Sequence, residues 1–104
     1  MRADKLSIIN YLKEIKSELT TDGISQIALF GSFARSEQNV YSDIDIAIQK
    51  ENAYLDKRTA YEYFDLVSKI KKLIREKFHR NTDIFDLDSN SSMKKTILKD
   101  IIYV

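Results

Sequence analysis

The stretch GSFARSEQNVYSDIDIAI, Gly31 to Ile48, holds one of only two glycines in the chain and ends in its clearest strand pattern. In SDIDIAI, Asp43, Asp45 and Ala47 alternate with Ile44, Ile46 and Ile48, the period of two expected of a strand with one face on a core. Asp43 and Asp45 therefore point the same way, about 6.5–7 Å apart along the chain. Two such carboxylates cannot both be buried and ionised without a counter-charge. They suit hard divalent cations, which prefer oxygen ligands. Upstream, ISQIALF (Ile24–Phe30) is an apolar run of strand length that stops at Gly31-Ser32, and FARSEQ begins a short helix before a turn at Asn39. A strand turning through Gly-Ser into a helix aims backbone N–H groups at an anion. Gly31 lets a phosphate approach the main chain, the Ser32 hydroxyl can donate to it, and Arg35 stands one turn on. The plainer reading of Arg35 is a solvated surface arginine. Asp-x-Asp alone is common, most often on an exposed strand face; Gly-Ser followed ten residues later by Asp-x-Asp is much rarer.

The rest of the chain sets the frame for that motif. Its 104 residues are expected to form one domain, 1–104. Seventeen basic and sixteen acidic residues nearly cancel, so net charge predicts no particular partner. The absence of cysteine excludes disulfides and thiolate–metal sites, leaving oxygen ligands and the single His79, too little for zinc. No apolar run approaches the roughly 20 residues of a membrane span. MRADKLSIIN lacks the apolar core of a signal peptide, so a cytoplasmic location with no membrane contact is expected.

Residues 4–19 read as an amphipathic helix with Ile8, Leu12, Ile15 and Leu19 on its stripe, widened by Leu6 and Ile9, and Gly23 as C-cap. A long helix is expected over 56–79, its apolar arc built from Tyr63, Leu66, Val67, Ile70, Leu73, Ile74 and Phe78. TDIFDLD is a third strand. SSMKKTILKD is a capped helix with Met93, Ile97 and Leu98 facing inward, and IIYV a fourth strand. This order predicts an α/β (α+β) fold, a small mixed sheet with helices mainly on one face. The other face of the second strand, carrying Asp43 and Asp45, would be open. Lys69, Lys71, Lys72, Arg75 and Arg80 lie opposite the apolar arc of the long helix, where a solvated face is favoured over contact with RNA or an acidic partner. His79 falls at that helix's end, where a cation interacts well with the dipole. The six tyrosines read as packing residues, although Tyr41 lies close to the motif.

Gly-Ser, ten residues, then Asp-x-Asp resembles the signature of the DNA polymerase beta-like nucleotidyltransferase superfamily. Within it, the length, the leading helix and the closing TDIFDLD…ILKDIIYV are similar to the minimal nucleotidyltransferases, often antitoxin partners of HEPN-domain toxins. The resemblance covers nearly the whole chain. It implies the polymerase beta-like fold and Mg-dependent transfer of AMP from ATP to a hydroxyl, plausibly a tyrosine of a HEPN toxin. It also implies two Mg²⁺ ions held by Asp43, Asp45 and a third carboxylate, with Gly31, Ser32 and Arg35 around the triphosphate. Matching the closing segment puts the third carboxylate at Asp83, with Asp86 as the alternative. Alternation does not decide between them, since Asp83 shares a face with Phe85 and Leu87, and Asp86 with Ile84 and Asp88. Two departures stand out: Ser36 occupies a position usually held by glycine, and no glycine lies near Asp100. The resemblance is also compatible with an antitoxin acting by occlusion alone, or with the nucleotide-binding subunit of a two-chain small-molecule transferase. Direct nucleic-acid binding is not expected, and homo- or hetero-oligomers are both open.

Overall fold

The computed structural model describes residues 2–104. Helix α1 (Lys5–Thr21) starts at a reciprocal cap, in which the Asp4 carboxylate accepts from the Ser7 N–H at 2.8 Å and Ser7 Oγ accepts from the Asp4 N–H at 3.0 Å. It buries Ile8, Leu12, Ile15 and Leu19. Leu6, expected on that stripe, is 69% exposed instead. Two residues before Ile8, it lies about 200° away around the helix, facing solvent.

Strand β1 (Ile24–Phe30) runs into the single-turn helix α2 (Gly31–Ala34), and β2 (Ile44–Lys50) follows. The single helix expected over 56–79 is two: α3 (Tyr54–Lys57) and α4 (Ala60–Phe78). Between them Arg58 is extended, its guanidinium paired with Glu51 and lying 4.7 Å over the Tyr54 ring. Thr59 then caps α4, accepting from the Glu62 N–H. Strand β3 (Thr82–Asp86), α5 (Lys94–Asp100) and β4 (Ile102–Tyr103) complete the chain. The sheet order is β3-β2-β1-β4, with β1 antiparallel to β2 and β4, and β2 parallel to β3. It is the mixed sheet the sequence predicts.

One sheet face carries the main core. Ile27, Leu29, Ile44, Ile46 and Ile48 pack with Ile8, Leu12 and Leu19 of α1, Phe33 of α2, and Leu66, Ile70, Ile74 and Phe78 of α4. Each such side chain contributes roughly 1.5–3 kcal/mol by leaving water. The second face is less open than expected. Ala28, Ala47 and Leu87 are buried there, flanked by Phe30, Phe85 and Ile101. On β2 this face stays partly accessible at Asp45, near its start, and at Gln49, near its end. In α5, Ile97 is buried, but Met93 (61% exposed) and Leu98 (43% exposed) face outward, against expectation. Met93 precedes the helix and makes no side-chain cap, and this seven-residue helix packs only a narrow face against α2 and β1.

Candidate active site

The site forms where the C-terminal end of β1 meets the starts of β2 and β3. Gly31 has φ +76°, in the left-handed region, and a β-carbon there would overlap Oδ2 of Asp45. Glycine is required twice over, by the backbone turn and by the close approach of this carboxylate. The turn closes tightly, with the Arg35 N–H donating to the Gly31 carbonyl at 3.1 Å and the Glu37 N–H to the Ser32 carbonyl at 2.9 Å. Ser36, in place of the usual glycine, adopts φ 57° at the end of this turn.

Asp45 is the centre of the arrangement. It pairs with Phe30 of β1 on one side and with Asp83 of β3 on the other. Asp45 is half-buried, and burial first, then the charges of Asp83 and Asp43, push its carboxyl up to about 6; Arg35 acts weakly the other way. Asp43 is exposed just before β2, and Asp83 is exposed on the edge strand. Structure thus brings Asp43, Asp45 and Asp83 to one uncovered patch beside Gly31. Asp86 lies on the opposite face. It accepts from Lys50 Nζ, from the Tyr63 hydroxyl at 2.8 Å and from the Asp88 N–H at 2.8 Å. Burial opposes its ionisation, but these hydrogen bonds outweigh it and hold the carboxyl below its ordinary range. Burial and the bond to Asp86 push the Tyr63 phenol up in turn.

Arg35 is engaged elsewhere, its guanidinium donating to Asp100 at 3.0 Å and to Glu37 at 3.2 Å. Arg80, read from the sequence as a surface cation, holds the loop that delivers Asp43. It donates to the Ser42 carbonyl at 2.8 Å and the Asn39 carbonyl at 3.2 Å, over the Phe33 ring. No local sequence signal marks a contact spanning 38 residues. Among the described residues, no three histidine, aspartate or glutamate side chains stand close enough to enclose a metal ion. The chemistry of the donor set still fits a divalent cation: hard oxygens, one half-buried and destabilised by neighbouring negative charge.

Residues 12–104 match the family described as polymerase beta, nucleotidyltransferase. Over 84 residues, 78% of this chain and 77% of the relative, the sequence is 39% identical to "Putative protein adenylyltransferase MJ1379" of Methanocaldococcus jannaschii. A solved structure described as a "putative minimal nucleotidyltransferase" superposes with a TM-score of 0.69 at 21% identity, over 96% of this chain and 95% of that one. A toxin–antitoxin crystal structure with AMP-PNP gives a TM-score of 0.58 at 21% identity, over 97% of this chain and 72% of that one. At such identities the two structures speak for the fold, while the family match and the curated relative speak for descent. The chain therefore belongs to the polymerase beta nucleotidyltransferase family.

Proposed function

We propose that this nucleotidyltransferase moves AMP from ATP onto a hydroxyl of a partner protein, a tyrosine of a HEPN toxin, and so acts as its antitoxin in the cytoplasm. The observation that carries the reading is the Gly31 turn packed against Asp45, itself in register with Asp83. The backbone at Gly31 and the Ser32 hydroxyl would hold the triphosphate, with Arg35 adding positive charge. Asp43, Asp45 and Asp83 would hold two Mg²⁺ ions, whose contribution is to offset the charge on the reacting phosphate oxygens. Asp83, exposed at the sheet edge, orients the incoming hydroxyl and accepts its proton. The hydroxyl oxygen bonds to the α-phosphorus, the bridge to the β-phosphate breaks, and pyrophosphate leaves with the bonding electrons. The adenylyltransferase relative of M. jannaschii and the AMP-PNP complex of the toxin–antitoxin neighbour both support this reading. So does the raised carboxyl of Asp45, because a protein acting by occlusion alone gains nothing from an acidic cluster that opposes folding.

The test is intact-mass spectrometry of the protein encoded by the neighbouring gene, after incubation with this chain, ATP and Mg²⁺. An added AMP, absent with the Asp43→Ala/Asp45→Ala variant, is the expected result. A partner that binds yet gains no mass counts against transfer.

A further inference from the structure

On the β3 side of the carboxylates, a groove of about 450 Å³ opens between the loop at 39–42 and the C-terminal end of α4. Val40, Tyr41, Asp43, Arg75, His79 and Arg80 line it. We propose that this groove seats the acceptor polypeptide and selects a hydroxyl flanked by acidic residues, an inference that rests on the adenylyl-transfer reading above.

Direction comes first. Gly31 follows Phe30, the β1 partner of Asp45, so a triphosphate at the Gly31 turn lies on the β1 side of that carboxylate. In an in-line displacement the attacking oxygen and the leaving pyrophosphate lie on opposite sides of the α-phosphorus. The hydroxyl therefore enters from the β3 side, where Asp43 and Asn81, just before β2 and β3, line the groove.

Charge comes second. Arg75 donates to Asn81 Oδ1 at 3.2 Å and Arg80 to two backbone carbonyls, and among the described residues neither has a carboxylate partner. Elsewhere on α4, Lys69 is neutralised by Glu18 and Asp22, each at 2.8 Å, Lys72 pairs with Glu76, and Lys77 lies over the Tyr11 ring. Lys71 and Lys77 also lack a carboxylate partner among the described residues but stand apart from each other and from the groove. Arg75, with Arg80 just past the helix, instead sets two uncompensated guanidiniums side by side in the groove lining. These two form a short cationic pocket and not the long track that a phosphate backbone, with a charge every ~1.7 Å of duplex, calls for. Val40 (78% exposed) and Tyr41 (90% exposed) add apolar and aromatic surface at its mouth, the kind that anchors polypeptide. A few carboxylates around a hydroxyl-bearing residue match this combination.

The test uses two peptides of equal length, each with a central tyrosine, flanked by glutamates in one and by lysines in the other, beside a short RNA oligonucleotide. Each is titrated into isotope-labelled protein, followed by amide resonances, and each is offered as acceptor with ATP and Mg²⁺. The glutamate peptide should shift Tyr41, Arg75 and His79. Its affinity should fall about two- to fivefold in Arg75→Ala and about tenfold in Arg75→Glu, with ATP affinity unchanged. Lys71→Glu, the same charge reversal outside the groove, should leave peptide binding as it is. Equal binding of both peptides, stronger binding of RNA, or an effect of Arg75→Glu on ATP alone would overturn the inference. Glutamate-peptide binding at the groove without AMP transfer would support the surface and count against the transferase reading; transfer without peptide preference would do the reverse.

Discussion

Asp45 on β2 and Asp83 on β3 are register partners on the stretch of sheet that Leu87 and Ile101 leave uncovered, and the charge of Asp83 helps to raise the Asp45 carboxyl to about 6. The site therefore stores electrostatic repulsion in the folded chain, and that repulsion has a measurable sign.

Between about pH 4 and 6, native Asp45 keeps a proton that the unfolded chain, at the ordinary 3.8, has released. Stability from this residue is thus greatest at the low end of the window and is lost as pH rises through about 6. After solvent screening of a half-exposed group, the effect is on the order of 1 kcal/mol. Asp86, held low, contributes slope of the opposite sign only near the bottom of this window, where the unfolded carboxyl still binds protons, and little between pH 5 and 7.5. Urea denaturation at pH 5 and pH 7.5 should show the wild type losing stability relative to Asp45→Asn, and Mg²⁺ restoring part of it at the higher pH. A parallel response of the two proteins would contradict the assignment.

Asp83 and Asp86 should separate function from stability. Asp83→Ala relieves repulsion, so we expect unchanged or slightly higher stability with AMP transfer reduced by about 10² or more. Asp86→Ala leaves the Tyr63 hydroxyl without its acceptor and Lys50 with Asp88 alone, at a cost of about 1–3 kcal/mol. Transfer per folded molecule should survive. Denaturation midpoints and initial rates on both variants check the contrast.

Gly31→Ala should damage both properties. The new methyl group meets Oδ2 of Asp45 and imposes a left-handed conformation on an L-residue, costing about 1–2 kcal/mol. Calorimetric titration with ATP should show weaker binding, because Asp45 or the turn must shift to make room.

Ser36→Gly should do the opposite. Ser36 holds φ 57° at the end of α2, a conformation glycine adopts without strain. Relief of that strain, offset by greater unfolded-chain entropy, leaves a gain of about 0.5–1 kcal/mol, readable in the urea midpoint.

The alternation in SDIDIAI carried most of the fold, because a strand with one face on the core writes its register directly into sequence. The choice between Asp83 and Asp86 was not legible there. β3 has partly exposed residues on both faces, and only its pairing with β2 puts Asp83 beside Asp45. Arg35 to Asp100 and Arg80 to the 39–42 loop are contacts across 65 and about 40 residues, which no local pattern encodes. The helix break at Arg58 was hidden for the same reason, since Glu51 and Tyr54 hold it through side chains. Met93 and Leu98 misled because hydrophobic residues in a short terminal helix need not find a core.

The parallel pairing of β2 with β3 fixes the polarity of everything around the site. Asp45 and Asp83 lie at the amino ends of their strands, whereas open α/β sheets more often place ligands beyond the carboxyl ends, near helix N-termini. Here α4 runs toward the carboxylates and brings its carbonyl end, with partial negative charge, up to the groove through His79. At the groove Arg75 and Arg80 outweigh that partial charge, so the helix end works against an anion only on the side of the carboxylates. With the acidic patch, it makes the chain a poor trap for a bare polyanion and a better one for a polyanion that arrives with its charge already offset. Under the adenylyl-transfer reading proposed above, a preference for cation-loaded over free nucleotide would follow from the direction in which the crossover helix runs.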